Sequence, residues 1–359
     1  MKVALISRST LFSVPGGDTV QIQETAAALK KIEVDVTVYL ANEMIDYDQF
    51  DLLHFFNVIR PNLILAHAEK SKLPFVISTI FVDYEEVTKK LGGRVSKLLL
   101  NAFGPDGLEY IKTIARRIVN GEKFIDSKYI FRGHKKSVEV ALGKAKILLP
   151  NSHNEFIRLK KRYSFTTKYK VIPNAVNSVF LEQIKSKEKE KLVVCVGRIE
   201  PIKNQLNLIR ALKNSDVKLD LVGKPAPNHK KYYQQCLSEA TENINFLGQI
   251  DRNGVIEKLL NAKVHVLPSW FETTGLSSLE AGALGCNVVI SNKGDTKEYF
   301  ESYAFYCEPG DVESIKSTIN QALESEVQFE LRNKIEQKYT WTRTALLTKE
   351  VYAEVLSRS

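Results

Sequence analysis

Four charged residues in the second half of the chain, Arg198, Lys203, Glu272 and Glu280, have side chains that suit a phosphate-linked sugar. Arg198 and Lys203 lie five residues apart, directly after an apolar run at 193–197 that is typical of a buried strand. A guanidinium fork and an ammonium point charge can hold one diphosphate from different sides. The two carboxylates can accept hydrogen bonds from sugar hydroxyls. Taken alone, the cations equally fit surface charges at a helix start, and Glu280 fits a solvent-facing helix residue.

The residues between the two carboxylates add backbone amides to the same stretch. Thr273, Thr274, Gly275 and Leu276 stand where a helix over about 275–285 is predicted to begin. Small residues there expose the amides of the first turn, and the partial positive charge of a helix N-terminus favours phosphate oxygens. This stretch can therefore hold a sugar hydroxyl, a phosphate and a ribose within one site.

A second glycine-containing loop lies near the start of the chain. Gly16 and Gly17 stand between a predicted first strand at 2–7 and a predicted helix at 19–31. Glycine lets backbone amides approach a ligand closely, and a helix start favours phosphate. The pattern is neither a dinucleotide-binding fingerprint nor a P-loop, so by itself it is more typical of a tight turn.

Apolar runs that are typical of buried strands alternate with helical patterns along most of the chain. This alternation predicts two doubly wound α/β domains, each with a parallel sheet covered by helices on both faces. The predicted strands lie near 2–7, 34–40, 51–56, 74–80, 145–150, 191–197, 217–223, 244–248, 264–268, 286–291 and 303–307. The predicted helices of the second half lie near 201–213, 229–241, 251–262, 275–285, 311–324 and 342–357. Pro201 suits a first helical turn, and Asp251 and Asp311 suit N-caps.

The length of 359 residues predicts two domains rather than one. The clearest boundary is the segment 172–177, which a highly charged stretch at 184–191 follows. No apolar run approaches the roughly 20 residues that span a bilayer. The first apolar stretch is too short for a signal peptide and is predicted to be a strand. The four separated cysteines are expected to be buried free thiols of a reducing cytoplasm; they are Cys195, Cys236, Cys286 and Cys307.

The net charge of +9 is confined to the first half of the chain. Residues 1–175 hold 27 basic and 18 acidic residues, whereas the remaining residues hold 24 of each. Residues 112–170 alone hold 16 basic and 4 acidic residues. This asymmetry indicates that one domain meets an anionic surface, either nucleic acid or an anionic membrane leaflet. A solubilising surface is the plainer alternative.

A basic amphipathic helix is predicted over 89–102. A basic row and an apolar row both have helical spacing there; they are Lys90, Arg94 and Lys97, and Leu91, Val95 and Leu98. Such a helix can lie on an anionic membrane surface. An ordinary core-packing helix with a solvated back fits the pattern equally well. The basic residues lack interleaved aromatic residues, which argues against nucleic acid as the partner.

Together these motifs resemble the retaining glycosyltransferases of family 4. The resemblance rests on Arg198-x4-Lys203, on Glu272-x7-Glu280 with Gly275-Leu276 and Leu279-Glu280-Ala281, and on the segment 172–176. It is close over 170–325 and weaker but collinear over 1–150. The stretch that ends at Trp341-Thr342 also resembles the end of that family, where the chain crosses back to the first domain.

The resemblance implies the GT-B architecture, in which two Rossmann-like domains face each other across a cleft. The expected acceptor-binding domain comprises 1–172 with the C-terminal helix at 342–359. The expected nucleotide-sugar-binding domain comprises 173–341. Both boundaries follow from the family pattern and from the composition change at 172–177.

The resemblance also implies residue roles. The implied catalytic residues are Glu272, which binds the transferred sugar near its anomeric carbon, and Arg198 and Lys203, which neutralise the departing diphosphate. Glu280 is expected to hold the ribose hydroxyls, and the first-domain glycines are expected to approach the diphosphate. The implied donor-binding set is Gly16, Gly17, Arg198, Lys203, Thr273, Thr274, Gly275, Leu276 and Glu280.

Neither a metal ion nor a cofactor besides the donor sugar nucleotide is expected. The cation pair and the helix dipoles are expected to do the electrostatic work that a divalent ion does elsewhere. The Asp-x-Asp sequence Asp46-Tyr47-Asp48 is more typical of a polar turn than of a metal site.

One departure from the family concerns a histidine that usually follows a first-domain strand, near the transferred sugar. The matching stretch 74–84 has none, and Asp83, Tyr84 or His54 are the candidates to replace it, although His54 is more typical of a satisfied core histidine.

The expected function is a metal-independent retaining glycosyltransferase that acts on a glycan or a lipid-linked acceptor in cell-surface polysaccharide synthesis, lipopolysaccharide included. The expected location is the cytoplasm, with peripheral association at the inner face of the plasma membrane. Two alternatives stay open at this point. They are an enzyme like the non-hydrolysing nucleotide-sugar epimerases and a catalytically silent GT-B binding subunit. A nucleic-acid binder is not expected, because the basic residues lack interleaved aromatic residues.

Overall fold

The computed structural model describes residues 1–83, 85–120, 127–183, 189–327 and 329–358. The chain forms two compact units. Unit 1 comprises Met1–Asn174 and Trp341–Ser359, and unit 2 comprises Ala175–Thr340. The division after Asn174 falls within the segment 172–177, whose composition marked it as a boundary. Residues 184–188 of the charged stretch that follows lie outside the described residues.

The strands of the described residues all belong to one of two parallel sheets. They are β1 (Lys2–Ser7), β2 (Asp35–Leu40), β3 (Leu52–Phe56), β4 (Phe75–Ser78), β5 (Ile147–Leu149), β6 (Glu190–Val196), β7 (Lys218–Val222), β8 (Ile244–Gly248), β9 (Ala262–Leu267), β10 (Asn287–Ser291) and β11 (Phe305–Cys307). Each strand overlaps the apolar run that predicted it, so the strand predictions are confirmed.

Helices surround both sheets. They are α1 (Gly17–Lys31), α2 (Pro61–Ser71), α3 (Glu85–Leu91), α4 (Arg94–Asn120), α5 (Ser127–Arg132), α6 (His134–Lys144), α7 (His153–Arg162), α8 (Ser178–Glu182), α9 (Gln205–Leu212), α10 (Lys230–Glu239), α11 (Arg252–Asn261), α12 (Leu276–Ala283), α13 (Thr296–Phe300), α14 (Val312–Glu324), α15 (Phe329–Lys338) and α16 (Trp341–Leu356). The two predicted aspartate N-caps are confirmed. The Asp251 carboxylate accepts from the Gly254 amide at 2.8 Å, and Asp311 caps α14 in the same way.

The order of strands places a reversal point in each sheet. In unit 1 the order is β2-β1-β3-β4-β5, and in unit 2 it is β11-β10-β9-β6-β7-β8. Successive strands are added outward in one direction and then in the other, starting from β1 in unit 1 and from β6 in unit 2. In each sheet, the connections on the two sides of this starting strand run in opposite directions. They leave a crevice at the carboxyl end of β1 in unit 1 and of β6 in unit 2.

The central strands of the unit 2 sheet are buried on both faces, which explains the continuous apolar runs within β6 and β10. Along β6, Val194 joins one buried cluster, whereas Val193 and Cys195 join the cluster on the other side. This is the two-residue alternation of a strand between two helical layers. All four cysteines are buried free thiols, as predicted.

The single helix predicted over 201–213 was wrong. Pro201–Lys203 form a 3₁₀ turn, and Asn204 then takes a left-handed conformation with φ of 61° before α9 begins. Asparagine adopts this conformation more readily than most residues. Its buried side chain also donates hydrogen bonds to the carbonyls of Pro268 and Pro309, at 3.0 and 2.7 Å. These contacts from distant segments outweigh the local helical pattern.

The single basic helix predicted over 89–102 was also wrong. The helix α3 ends at Leu91 and α4 begins at Arg94, so the glycine pair Gly92–Gly93 separates two helices. Glycine has a low helix propensity because its backbone loses the most conformational freedom on folding. A pair of glycines therefore interrupts the amphipathic pattern.

The first part of α4 exposes two of the three residues of the predicted apolar row. Val95 and Leu98 are 70% and 68% exposed, whereas Leu91 is half-buried at the end of α3. Phe103, further along α4, is also exposed, at 61%. This part ends at Gly104, whose φ of 66° and ψ of 178° break the helix before Pro105. Val95 and Leu98 therefore face solvent rather than the core of unit 1. Within the described residues, no helix is long and apolar enough to cross a membrane.

Candidate functional site

The crevice between β6 and β9 in unit 2 carries most of the site residues that the sequence indicated. The two strands are neighbours in the sheet, and they begin the two halves in which strands are added in opposite directions. Residues 197–204 follow β6, and residues 268–275 follow β9. In an open α/β sheet, ligands bind in the crevice at this point.

Lys203 and Glu272 contact each other at this crevice. The Nζ atom of Lys203 donates to Oε1 of Glu272 at 2.6 Å. Their side chains are only 24% and 8% exposed, so water and salt screen the pair weakly. The structure thus joins the cation of one motif to the carboxylate of another that lies 69 residues further along the chain.

Main-chain contacts fix the two loops to each other. The amide of Trp270 donates to the carbonyl of Ile202 at 2.8 Å. The Asn204 side chain links the same loops through the carbonyl of Pro268. The positions of Lys203 and Glu272 are therefore set by a common frame, which is what a preorganised site requires.

The backbone of Glu272 is held by residues 293–295. The Glu272 amide donates to the Lys293 carbonyl at 3.3 Å, and the Glu272 carbonyl accepts from the Asp295 amide at 2.9 Å. Gly294 has φ of 82°, and a Cβ atom there would lie 2.0 Å from the Glu272 carbonyl oxygen. Both the conformation and the close approach require glycine at this position.

Replacing Gly294 with alanine is expected to push the Glu272 backbone away and to lower the free energy of unfolding by about 2 kcal/mol or more. Chemical denaturation measures the change. Gly143→Ala is the matched control, because Gly143 lies inside α6 and a Cβ there meets nothing within 4 Å. That variant is expected to be as stable as the wild type or more so. If Gly294→Ala were as stable as the wild type, the close approach of the Gly294 backbone to the Glu272 carbonyl would be contradicted.

Arg198 begins the loop after β6, and its side chain is 41% exposed. One of its nitrogens, Nη2, donates to Oε1 of Glu200 at 3.0 Å. Its backbone carbonyl accepts from Nε2 of Gln205 at 2.8 Å, which holds the loop against the start of α9. A guanidinium carries five N–H donors, so most of them stay available to an anion.

The start of α12 adds the backbone amides of the site. Gly275 is the N-cap residue with φ of 75°, and no side chain caps the helix. The hydroxyl of Ser277 donates to the carbonyl of Val196 at 2.9 Å, which fastens this first turn to the end of β6. The amides of the first turn therefore lie at the same crevice, where their partial positive charge can act on an anion.

The remaining site residues of unit 2 lie around the same helix start. Thr273 and Leu276 are half-buried, and Thr274 is 1% exposed. Glu280 is half-buried on the second turn of α12. The structure thus places all the unit 2 residues that the sequence indicated on two loops and one helix start.

The thiol of Cys195, near the end of β6, is not a nucleophile. Burial raises the pKa of Cys195 to about 12, while Lys203 acts to lower it and Glu272 to raise it. The thiol therefore stays protonated at neutral pH, and only a thiolate attacks. The groups of the crevice that can act on a ligand are its cations, carboxylates and backbone amides.

Gly16 and Gly17 lie in unit 1, where the loop after its central strand β1 ends; Gly16 is the N-cap of α1, and Gly17 is the first residue of that helix. The amide of Gly16 donates to Oγ1 of Thr19 at 3.0 Å, inside the first turn of α1. Arg8 in the same loop pairs with Asp18 through two hydrogen bonds, at 2.6 and 3.0 Å. The role of the two glycines at a diphosphate stays a prediction.

Comparisons with known proteins identify the class of protein that this chain resembles. Residues 178–340 match the family model described as glycosyl transferases group 1. A Campylobacter jejuni enzyme, N-acetylgalactosamine-N,N'-diacetylbacillosaminyl-diphospho-undecaprenol 4-alpha-N-acetylgalactosaminyltransferase, is 24% identical over 320 residues, which cover 81% of this chain and 82% of that protein. Sucrose-phosphate synthase from Thermosynechococcus elongatus shares the fold, with a TM-score of 0.75 and 15% identity over the full length of both chains.

The chain is a glycosyltransferase. Its fold, two Rossmann-like α/β units of the GT-B class, confirms the predicted fold class. Another neighbour in fold is HepE from Anabaena, solved in complex with UDP and glucose. It has a TM-score of 0.68 at 16% identity and covers 99% of this chain and 100% of its own.

A buried carboxylate in unit 1 of the glycosyltransferase was missed by the sequence analysis. Glu155 is fully buried and accepts hydrogen bonds from the amides of Phe81 and Asn151, both at 2.9 Å. It also accepts from the Thr79 hydroxyl. One side chain thereby holds the loops that follow β4 and β5.

The loop after β4 needs this support because part of its backbone is strained. Ile80 has φ of 43°, which is rare for a β-branched residue and costs free energy. The sequence did carry a signal for the carboxylate, namely the capping-box spacing of Ser152 and Glu155 at the start of α7. The hydroxyl of Ser152 accepts from the Glu155 amide at 2.9 Å.

His54 is a core residue of the glycosyltransferase, which confirms the core alternative for it. Its Nδ1 lies 2.6 Å from the Tyr352 hydroxyl, and its Nε2 lies 2.9 Å from the Ser78 hydroxyl. Burial lowers the pKa of His54 to about 3, so the ring is neutral. Asp83 accepts from Arg162 at 3.1 Å in the loop after β4, and Tyr84 lies outside the described residues.

The Asp46–Asp48 stretch forms the polar turn that its sequence favoured. A 3₁₀ turn at Tyr47–Gln49 follows Asp46, and Nε2 of Gln49 donates to Oδ2 of Asp46 at 2.8 Å. Among the described ranges, no group of three or more histidine, cysteine, aspartate or glutamate side chains could hold a metal ion.

Proposed function

We propose that this glycosyltransferase moves a sugar from a nucleoside-diphosphate sugar to a glycan or lipid-linked acceptor, without a metal ion and with retention of configuration. The contact between Lys203 and Glu272 carries the proposal. It puts an anion-binding cation and a hydroxyl-binding carboxylate in one place, which a sugar bonded to a diphosphate requires. HepE, solved with UDP-glucose, supports this class of donor.

The charges of the crevice match the charge that develops during transfer. As the bond between the anomeric carbon and the diphosphate breaks, positive charge grows on the sugar ring and negative charge on the departing phosphate. Arg198 and Lys203 stabilise the phosphate, and Glu272 accepts hydrogen bonds from the sugar near the reacting carbon. The amides at the start of α12 donate to phosphate oxygens, and Glu280 holds the ribose. Such interactions accelerate transfer because they are strongest in the transition state.

A nucleotide is expected to raise the melting temperature of the protein even in the presence of a chelator. Ligand binding to the native state adds about 2.7 kcal/mol to stability at a ligand concentration 100 times the dissociation constant. The experiment compares UDP, GDP and ADP and their sugars, each with and without EDTA. If no nucleotide shifts the melting temperature, the donor class is wrong, and if EDTA removes the shift, metal independence is wrong.

The proposed acceptor is a glycan or a lipid-linked saccharide of cell-surface polysaccharide synthesis, with lipopolysaccharide among the candidates. The Campylobacter relative, whose name includes a diphospho-undecaprenol saccharide, supports this. The excess of basic residues at 112–170 suits the phosphates of such a lipid. We further propose peripheral association of unit 1 with the cytoplasmic leaflet. Sedimentation with anionic liposomes at low and high salt tests it, and the absence of salt-sensitive binding would end the membrane proposal.

A catalytically silent binding protein is the second candidate function. The observation that favours it is the loop after β4, residues 79–83, which has no histidine, together with the core position of His54. Release of nucleoside diphosphate from a donor sugar in the presence of an acceptor separates the two functions. A nucleotide that binds with no such release under any acceptor would favour the silent protein.

A further inference from the structure

We propose that unit 1 binds the phosphate end of a long-chain lipid, with the hydrocarbon chain in an apolar pocket and the phosphate at a cationic rim beside it. This proposal rests on the proposed function, because it names the chemical class of the acceptor and the place that receives it.

The apolar pocket lies between the loops after β3 and β4 on one side and α4 on the other. Phe81 and Val82 come from the loop that Glu155 holds, and Leu100 and Leu108 come from α4 on either side of the helix break. Its apolar lining consists of Ile59, Phe81, Val82, Leu100, Pro105 and Leu108, and Tyr163 adds an aromatic ring. The rest of the lining is polar and consists of Glu85, Thr88, Glu109, Lys112, His134 and Arg162. The apolar part of this lining suits hydrocarbon, and its charged part suits the polar end of the same ligand.

Two further depressions adjoin the pocket and share lining residues with it. His134 lines both the pocket and the first depression, and Arg162 and Tyr163 line both the pocket and the second. The two depressions share Lys135 and Glu139. We define the cationic rim as the basic residues of these depressions, which are Arg132, Lys135, Lys136, Lys160, Lys161 and Arg162.

The rim keeps positive charge after its internal ion pairs are counted. Arg162 lies 3.1 Å from Asp83 and 3.4 Å from Asp106, and Lys136 lies 3.4 Å from Glu139. Lys135 and Lys161, by contrast, make no ion pair with any residue that the structure describes. Two ammonium groups close to an apolar pocket match a ligand that has an anionic end and a hydrocarbon body.

The pocket must widen to admit a long alkyl chain. Its volume is about 30 Å³, whereas a cavity needs about 10–15 Å³ to hold a single water molecule. The wall that carries Leu100 is the first part of α4, which lies between the glycine pair Gly92–Gly93 and the break at Gly104. Glycine permits the backbone rotation that such a movement needs. The outer face of this wall already exposes Val95 and Leu98, so it can rest on hydrocarbon.

Dodecyl phosphate is expected to bind the full-length protein at least tenfold more tightly than dodecanol or inorganic phosphate does. Each methylene group that the pocket buries adds about fourfold in affinity, and the phosphate adds its attraction to the rim. Isothermal titration calorimetry below the micelle concentration measures the three affinities. If dodecanol or inorganic phosphate alone binds as tightly as dodecyl phosphate, the proposal is overturned.

Two variants test the two halves of the site separately. The double variant Lys135→Ala/Lys161→Ala is expected to weaken dodecyl phosphate binding about tenfold and to leave dodecanol unaffected. Val82→Ser is expected to remove most of the increase in affinity that a longer alkyl chain gives the wild type. Lys230→Ala/Lys231→Ala is the matched control, because these lysines are exposed at the start of α10 in unit 2 and their loss removes the same charge. Equal weakening by the control pair would indicate net charge rather than a site, and would overturn the proposal.

Nucleotide binding by the same samples distinguishes this proposal from the proposed function. A protein that binds a nucleoside diphosphate but not dodecyl phosphate retains the donor site and contradicts the lipid site. A protein that binds dodecyl phosphate but no nucleotide keeps the lipid site and contradicts the proposed donor class.

Discussion

The Glu272→Gln variant is expected to bind the nucleoside diphosphate more tightly than the wild type and to transfer sugar about 10²–10³-fold more slowly. In the structure, Nζ of Lys203 donates to the Glu272 carboxylate at 2.6 Å. A diphosphate must therefore compete with that carboxylate for the ammonium group. A neutral amide competes less well, because hydrogen bonds to ionised acceptors are about twice as strong. Calorimetry with the nucleoside diphosphate and single-turnover assays with the donor sugar measure the two opposite effects.

Glu239→Gln is the matched control for this variant. Glu239 pairs with Arg210 at 2.7 Å between α9 and α10, and that guanidinium lowers the pKa of Glu239 to about 2. The control variant loses an ion pair of the same kind in the same unit, so its nucleotide affinity and turnover are expected to be unchanged. Weaker nucleotide binding by Glu272→Gln would contradict the competition, and unchanged turnover would contradict the proposed role of Glu272.

The Lys203→Met variant is expected to lose both stability and transfer, and a second substitution is expected to restore only the stability. Without Lys203, the Glu272 carboxylate, whose side chain is only 8% exposed, has lost its charged partner, which costs about 1–3 kcal/mol. Adding Glu272→Gln removes that buried charge, so the double variant is expected to regain most of the loss. Sugar transfer by the double variant is expected to remain at least about 10²-fold slower than that of the wild type, because the diphosphate still lacks the Lys203 cation. Urea denaturation and turnover of the single and double variants measure both effects.

Arg198→Met provides the contrast within the same loop. Arg198 is more exposed, and its pair with Glu200 is a surface pair that contributes at most about 1 kcal/mol to stability. This variant is therefore expected to transfer sugar slowly while it unfolds close to the wild-type midpoint.

A double variant Lys203→Met/Glu272→Gln that is as unstable as Lys203→Met alone would show that the pair of Lys203 and Glu272 does not account for the stability of the crevice.

Several features of the fold were predictable because they depend on neighbours in the sequence. Apolar runs predicted every described strand, since parallel strands that are covered by helices on both faces are predominantly apolar. The N-caps at Asp251 and Asp311 were predictable because a capping side chain reaches an amide only two or three residues away. The candidate site residues were indicated by their spacing and by a family resemblance, whereas their contacts were not.

Errors arose where a distant contact or a break decided the local conformation. Asn204 leaves the helical conformation because the carbonyls of Pro268 and Pro309 accept from its side chain. The amphipathic pattern over 89–102 hid the break at Gly92–Gly93, because periodicity alone does not register glycines on a helix face. Glu155 acts on loops up to 76 residues away, which no local pattern describes.

The sequence by itself determined the alternation of strands and helices, the concentration of positive charge in the first half and the types of side chain that end β6 and β9. Only the tertiary structure decided that Lys203 holds Glu272, that His54 is satisfied by Tyr352 and Ser78, and that the cationic rim adjoins an apolar pocket. The reason is physical. Periodicity and capping act over a few residues, whereas each of these contacts joins segments that the chain brings together only when the parallel sheets have formed.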